Sequence, residues 1–229
     1  VMKKWCVDDV MTTAVVSVPE TAPYRAVVDL LVANRFSAVP VADVFHRVSG
    51  VVSEADLLRK IEYAGDEEPR MFDGRRRRAD RAKAGGRTAA EIMSTPPVVV
   101  PSGTPLAAAA RMMDDEGVKR LPVVDDLGRL IGIVSRGDLL KVHLRPDDEI
   151  AADVREVLDS LLPERAGSVR AQVDDGVVTL TGRVERRTTT VVADRLIRQI
   201  GGVAEVRDKL GYDVDDSAVL GDGMPFGVA

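Results

Sequence analysis

The sequence has little of what small secreted proteins and metal sites are built from: one cysteine, Cys6, two histidines, His46 and His143, and only 3% aromatic residues in 229. A single cysteine makes no intramolecular disulfide and no CxxC knuckle, so a disulfide scaffold is excluded and a reducing cytoplasm is the expected compartment. Two isolated histidines, with the cysteine distant in sequence, give no metal-ligand spacing, and no metal is expected. Long apolar runs are missing too. Val98-Val99-Val100 and Leu106 to Ala110 fall far below the ~20 residues of a membrane-spanning helix. Asp8 and Asp9 stand where the apolar stretch of a signal peptide would begin. There is no Gly-x-x-x-x-Gly-Lys-Ser/Thr loop, no His-Glu-x-x-His and no Gly-x-Ser-x-Gly elbow. The glycines from Gly221 to Gly227 are misspaced for a nucleotide loop and follow no βα unit. No catalytic residue is assigned, and a protein that is not an enzyme is expected.

What is present is ordinary globular material, 45% hydrophobic and 30% charged, enough to build a core. The net charge of -5 is unevenly placed. Between Arg70 and Arg87 eight basic residues stand against Asp73 and Asp80, about +6 locally, which leaves about -11 for the remainder. Arg75, Arg76, Arg77 and Arg78 are the centre of this segment, and Gly74, Gly85 and Gly86 mark it as a flexible linker. A solvated loop is its plainest reading. The alternatives are contact with nucleic acid, anionic lipid or the acidic rest of the chain. With so few aromatics and no zinc finger, sequence-specific recognition of nucleic acid is not expected.

The chain repeats itself. Met11-Thr12-Thr13 matches Met93-Ser94-Thr95, Val18-Pro19 matches Val100-Pro101, and Val39-Pro40-Val41 matches Leu121-Pro122-Val123, each 82 residues apart. Gly50-Val51-Val52-Ser53 and Asp56-Leu57-Leu58 align in the same way with Gly132-Ile133-Val134-Ser135 and Asp138-Leu139-Leu140. In the second copy Pro96 to Val100 reads as a short strand. Thr104-Pro105 then opens an amphipathic helix through Leu106, Ala109, Ala110 and Met113 to Gly117. Leu121 to Val124 and Leu130 to Val134 are strands about a tight turn, and a second helix starts at Ser135. These residues resemble two CBS motifs in tandem, the Bateman module, over roughly 7 to 60 and 88 to 145.

After His143 the pattern changes. Ile150, Val154, Val157, Leu158 and Leu161 lie at helical spacing up to Pro163; Val169, Ala171 and Val173 alternate as a strand; Asp174-Asp175-Gly176 turns into a strand over Val178 to Gly182. A helix from about Arg187 is closed by Gly201-Gly202, and Val203 to Leu210 is a third strand. With Gly176 to Val184 and Gly201 to Val206 this order resembles a BON domain, which implies contacts with envelope, phospholipid or partner proteins and no catalytic residues. The expected fold class is α+β: two β-α-β-β-α repeats forming one module, then a small α-β-β-α-β domain. The expected boundaries are 1–68 for the first repeat, 69–87 for the linker, 88–145 for the second repeat, 146–213 for the BON domain and 214–229 for a disordered acidic, glycine-containing tail.

Ser53-x-x-Asp56 and Ser135-x-x-Asp138 have the spacing of a capping box. The same geometry suits a nucleotide, because amides at a helix start attract phosphate and a carboxylate can accept both hydroxyls of a ribose diol. The CBS resemblance implies the second use. Around the second motif stand Lys119, Arg120 and Arg136, where the first repeat has Ser37, Ala38 and Glu54. Charge-assisted bonds to phosphate are the stronger ones. The preferred ligand site is therefore Thr95, Lys119, Arg120, Pro122, Ser135, Arg136 and Asp138, and the less favoured one Thr13, Ser37, Pro40, Ser53 and Asp56. The expected function is regulatory: an adenosine-containing ligand such as AMP, ADP, ATP, S-adenosylmethionine or a cyclic dinucleotide binds the module, and its state is relayed to the BON domain or a partner. The resemblance also implies a homodimer. The alternative is a constitutive scaffold with empty pockets, whose BON domain and basic loop meet a protein, membrane surface or nucleic acid.

Overall fold

Val18 and Pro19 form β1 of a computed structural model that describes residues 4–63, 83–163 and 167–216. There follow α1 (Tyr24–Asn34), β2 (Ala38–Ala42), β3 (Val48–Ser53) and α2 (Glu54–Glu62). The second repeat opens on α3 (Ala89–Ile92) and continues through β4 (Val100–Pro101), α4 (Leu106–Asp115), β5 (Arg120–Val124), β6 (Leu130–Ser135) and α5 (Arg136–Leu139). Each repeat makes a three-stranded sheet, β1 parallel to β2 and β2 antiparallel to β3, with β4, β5 and β6 paired in the same way. The β-branched faces of these strands supply the core of the first repeat, where Val27, Val39, Val41 and Val52 are fully buried.

Two boundaries differ from the sequence reading. The strand expected over Pro96 to Val100 is reduced to Val100–Pro101, because Pro96 and Pro97 have no N–H to offer a ladder. The helix expected from Pro105 begins at Leu106, with Pro105 extended before it and the Thr104 hydroxyl turned back to Pro101 O at 2.7 Å.

The repeats are closed on each other by exchanged segments. The amide and carbonyl of Ser94 bond Val51 in β3 at 2.8 and 3.2 Å, and those of Thr12 bond Ile133 in β6 at 2.9 Å each. The opening segment of each repeat is thus an extra edge pairing on the other repeat's sheet. The hairpin turns meet as well, with Val48 N on Gly128 O at 3.3 Å and Leu130 N on His46 O at 2.9 Å.

Contacts divide the described chain into two units, one running from Cys6 to Leu139, the other joining Trp5 to the residues from Leu140 onward. The second unit contains a 3₁₀ turn (Leu140–Leu144), α6 (Asp147–Leu161), β7 (Val169–Asp174), β8 (Val177–Arg186), α7 (Arg187–Ile197) and β9 (Glu205–Val214). β8 is central, antiparallel to β7 and parallel to β9. Ile150, Val154 and Leu158 of α6 and Ile197 of α7 pack on Val178 and Leu180 of β8. The β7–β8 turn is held by Asp147, whose carboxylate accepts the amides of Asp175 and Gly176 at 2.8 and 2.9 Å. Gly176 has φ +73, and a Cβ there would stand 2.7 Å from Gly202 O, so this turn requires glycine.

Residues 214–216, placed in the tail by the sequence, end the last strand and make the contacts that follow it. Val214 ends β9, Asp215 pairs with Arg187 at 2.9 Å, and Asp216 accepts the Thr188 amide and hydroxyl at 2.9 and 2.6 Å, which caps the start of α7. The remainder, 217–229, and the arginines 75–78 proposed for polyanion contact lie outside the described residues. The near end of the expected linker is tied down: Tyr24 N bonds Arg87 O at 2.7 Å and Lys60 Nζ bonds Gly86 O at 2.9 Å.

Candidate functional site

A cavity of about 420 Å³ opens in the paired repeats where β3 runs into α2. Its lining joins the polar Ser53, Asp56 and Ser94, the apolar Pro96, Pro97 and Val98, and Val118, Lys119 and Arg120 together with Ser37 and Ala38. Glu54 lines it from the first turn of α2 and, like Lys119, is exposed. The apolar lining suits a flat base, and the polar groups beside it could orient one.

Asp56 is 4% exposed and densely bonded. One oxygen accepts the Ser53 amide at 2.9 Å and hydroxyl at 2.6 Å; the other accepts the Ser94 hydroxyl and Arg59 Nη1, both at 3.1 Å. Lys83 Nζ stands 3.6 Å from that second oxygen and donates to Ser94 Oγ at 3.0 Å. A carboxylate offers about four lone-pair sites, and four donors meet it here. The capping box is therefore real, and it belongs to a larger charged cluster that sequence spacing does not display. The matching pair in the second repeat, Ser135 and Asp138, repeats the cap, with amide and hydroxyl at 2.9 and 2.6 Å from Asp138.

The structure distributes the expected site residues differently between the two motifs. Lys119 and Arg120 do adjoin the second motif through the backbone, Arg120 being the Cα partner of Ser135 and Lys119 O accepting Arg136 N at 3.2 Å. Both residues nevertheless line the cavity that Asp56 also lines. The Arg136 guanidinium donates to Met113 O of α4 at 3.3 Å and is not among the lining residues of this cavity. Thr95 sits on the first repeat, its hydroxyl 3.4 Å from Ser49 O, because the segment carrying it crosses to β3. Thr13 follows Thr12 onto the second repeat and is absent from the described lining. Two of the charges counted in favour of the second site, Lys119 and Arg120, thus line a composite cavity that also holds Asp56 of the first. Pro40 and Pro122 are buried in β2 and β5, opposite Val51 and Ile133. Ser37 lines the cavity and accepts Arg120 Nε at 3.0 Å, holding the guanidinium at the rim.

Asp8, Asp43 and Asp125 have their carboxyls held below the ordinary carboxylate range. At Asp8 partial burial pushes upward and is outweighed by the Ser102 hydroxyl at 2.6 Å and the Gly103 amide at 2.5 Å. At Asp43 and Asp125 the leading cause is the amide of Arg47 and of Arg129, each at 2.9 Å. Among the described residues no group of three or more His, Cys, Asp or Glu is placed to hold a metal ion, and no helix is long and apolar enough to cross a membrane.

Comparison with protein families matches the CBS domain at residues 7–63 and 89–145 and the BON domain at 146–213. The chain belongs to the CBS domain family. Its CBS pair is followed by a BON domain, and the α+β order of all three pieces is the one read from the sequence. The CBS pair is similar to the chloroplastic CBS domain-containing protein CBSX1 of Arabidopsis thaliana, 33% identical over 138 residues, 56% of this chain and 58% of that protein. An uncharacterized protein of Methanocaldococcus jannaschii, MJ1404, is 25% identical over 237 residues, 98% of this chain and 52% of its own length. The chain spans about half the length of the curated relatives it matches. Among solved structures, Arabidopsis thaliana CBSX2 in complex with AMP aligns with TM-score 0.54 and 32% identity, covering 61% of this chain and 97% of that one.

Two members of the Asp56 cluster have no signal of that role in the sequence. Ser94 was visible only as a mark of the repeat, and its role depends on the cross-repeat pairing with Val51. Lys83 lies in the linker, where a basic residue reads as solvated charge; its approach to Asp56 has no local signal.

Proposed function

We propose that this chain is a non-catalytic regulatory protein whose CBS pair binds an adenosine-containing ligand in the cavity between Asp56 and Lys119 and passes the bound state to the BON domain or a partner. The observation that carries the reading is the cavity itself, lined by the apolar Pro96, Pro97 and Val98, by a serine and acid pair, Ser53 and Asp56, and by two cations, Lys119 and Arg120. The AMP complex of CBSX2, a relative of the CBS pair, supports the choice of ligand. In this reading the ribose hydroxyls replace the Ser94 hydroxyl or Arg59 on Asp56, since the carboxylate has no acceptor site to spare beyond its present donors. Binding therefore displaces a group now held on Asp56, and a ligand shifts an equilibrium only through such differential contacts.

Thermal unfolding of the full chain against AMP, ADP, ATP, S-adenosylmethionine and cyclic dinucleotides tests this. A ligand at 100 times its dissociation constant that binds only the folded state stabilises by about 2.7 kcal/mol. A saturable rise in Tm with at least one member is expected; no response to any of them would turn the assignment to a constitutive scaffold. We extend the reading to a homodimer through the helical faces, since α1 exposes Val32 and α2 exposes Leu58 and Ile61. Light scattering giving a monomer mass at micromolar concentration would reject that extension.

A further inference from the structure

We infer that Lys83 is a latch on the cavity: it holds Asp56 and Ser94 from the segment that joins the repeats, and a ligand that bonds Asp56 dislodges it, so that occupancy is read out at that segment. The inference rests on the proposed ligand site and concerns its regulation. The contacts are direct. Lys83 Nζ donates to Ser94 Oγ at 3.0 Å and stands 3.6 Å from Asp56 Oδ1, and the Ser94 hydroxyl donates to that same oxygen at 3.1 Å. Asp56 and Ser94 line the cavity, whereas Lys83 is not among its lining residues. A ligand therefore meets the two groups that hold the ammonium without meeting the ammonium itself.

The bond lengths say which contact gives way. Asp56 Oδ2 is taken by the Ser53 amide and hydroxyl at 2.9 and 2.6 Å, the bonds of the helix cap. Oδ1 carries the longer contacts, from Ser94 and Arg59 at 3.1 Å and Lys83 at 3.6 Å. A carboxylate oxygen has two lone pairs, so an incoming hydroxyl displaces one of these groups, and of the three only Ser94 lines the cavity. Turning the Ser94 hydroxyl to the ligand breaks the bridge between Lys83 and Asp56. What then remains at 3.6 Å is attraction through space, which water and salt weaken, and the Lys83 side chain is 23% exposed. The turn that carries the latch runs onward into the first repeat: Lys83 O accepts Gly86 N at 3.0 Å, Gly86 O accepts Lys60 Nζ of α2 at 2.9 Å, and Arg87 O accepts Tyr24 N of α1 at 2.7 Å. A ligand that must open this contact binds with its affinity reduced by the fraction of molecules in which the contact is open.

The test uses the full chain with adenosine, because an uncharged nucleoside separates competition for Asp56 from attraction to phosphate. In calorimetric titration Lys83→Met is expected to tighten adenosine binding about threefold, the scale of a partly exposed ion pair. Raising chloride from about 50 to about 500 mM screens the pair, and is expected to tighten adenosine in the parent and to do so less in Lys83→Met. Acylation of the Lys83 amine by acetic anhydride, followed by peptide mass spectrometry, reads the latch itself. It is expected to run faster at saturating adenosine or AMP and, with no ligand present, in Ser94→Ala, which lacks the bridging hydroxyl. Adenosine binding that is unchanged or weaker in Lys83→Met, ligand binding that leaves Lys83 acylation unchanged, or a parental acylation rate in Ser94→Ala each overturns the latch while the ligand site stands. If neither adenosine nor AMP binds the parent or Lys83→Met, the proposed site falls and the coupling with it.

Discussion

The thioether of Met93 lies against the α-carbon of Gly50, and the thioether of Met11 lies against Gly132 in the same way, so that a Cβ at either glycine would run into methionine sulfur. Each methionine belongs to the repeat opposite to its glycine. The two contacts are the packing counterpart of the Ser94–Val51 and Thr12–Ile133 pairings beside them.

Gly50→Ala and Gly132→Ala are each expected to destabilise the CBS pair by about 1–3 kcal/mol, the usual cost of overpacking, read as a lower midpoint in urea unfolding. Adding Met93→Ala to Gly50→Ala removes the obstructing atoms, so the double variant should lose less than the sum of the single losses, as expected for residues in contact. Strict additivity would show that the two do not meet.

These glycines mark what a sequence does and does not display. Met11, Met93, Gly50 and Gly132 are conspicuous as repeat markers, and the element order follows from the spacing of Val39, Leu121, Leu106 and Met113. The reason for the markers is not local: it lies in the exchange of opening segments, a contact about 40 residues away in one case and about 120 in the other. The same exchange moved Thr95 from the second site to the first and brought Ser94 onto Asp56. Arg136 shows a different limit. Its position beside Ser135 is as expected, but the Met113 carbonyl on α4 captures its guanidinium. Spacing assigns a residue to an element reliably, whereas the direction of a long flexible side chain depends on acceptors from elsewhere in the fold.

Asp56 and Asp138 occupy equivalent positions and should respond differently. Asp56→Ala leaves Arg59 and Lys83, 27% and 23% exposed, without their shared carboxylate, and strips two donors at Ser53 and one at Ser94. A loss of about 2 kcal/mol or more is expected, below the ~3–5 kcal/mol for a fully buried pair because both cations reach water. Nucleotide binding should be abolished in Asp56→Ala and kept in Asp138→Ala if the cavity described is the occupied one. Measuring both variants by chemical unfolding and by titration separates the two effects, and loss of binding only in Asp138→Ala would place the ligand in the second repeat.

The hairpin turns carry a pH response. Asp43 accepts the amides of Phe45 and Arg47, and Asp125 those of Leu127 and Arg129, at 2.8 to 2.9 Å. Both carboxyls are held below their ordinary value in the folded state, chiefly by the Arg47 and Arg129 amides. A depressed folded-state value means the stabilisation is complete above the unfolded-state value and fades as pH falls through the folded one. Stability of the CBS pair should therefore hold down to about pH 4 and decline below it. An Asp43→Asn, Asp125→Asn double variant should be less stable at neutral pH and should approach the parent's stability at about pH 2. Parallel curves for the two proteins would show that other carboxylates govern acid unfolding.

Trp5 provides a direct probe of the BON-containing unit. It is the chain's single tryptophan, and the Arg145 guanidinium lies over its ring at 5.4 Å. Arg145, with its side chain only 7% exposed, donates to Gly201 O at 2.6 Å and to Asp153 at 2.9 Å, so one side chain joins the segment before α6, α6 itself and the Gly201-Gly202 turn. A Cβ on Gly201 would stand 2.6 Å from the indole, so this glycine makes room for the ring. Arg145→Met keeps much of the apolar stem but leaves the Gly201 carbonyl and Asp153 without their charged donor, a change expected to cost about 2–4 kcal/mol. The tryptophan should then move toward water: its emission is expected to shift to longer wavelength, and iodide quenching to rise, before any global unfolding. An unchanged spectrum in Arg145→Met would mean that the indole is held by Gly201 and its apolar neighbours alone, and that the arginine serves only the turn.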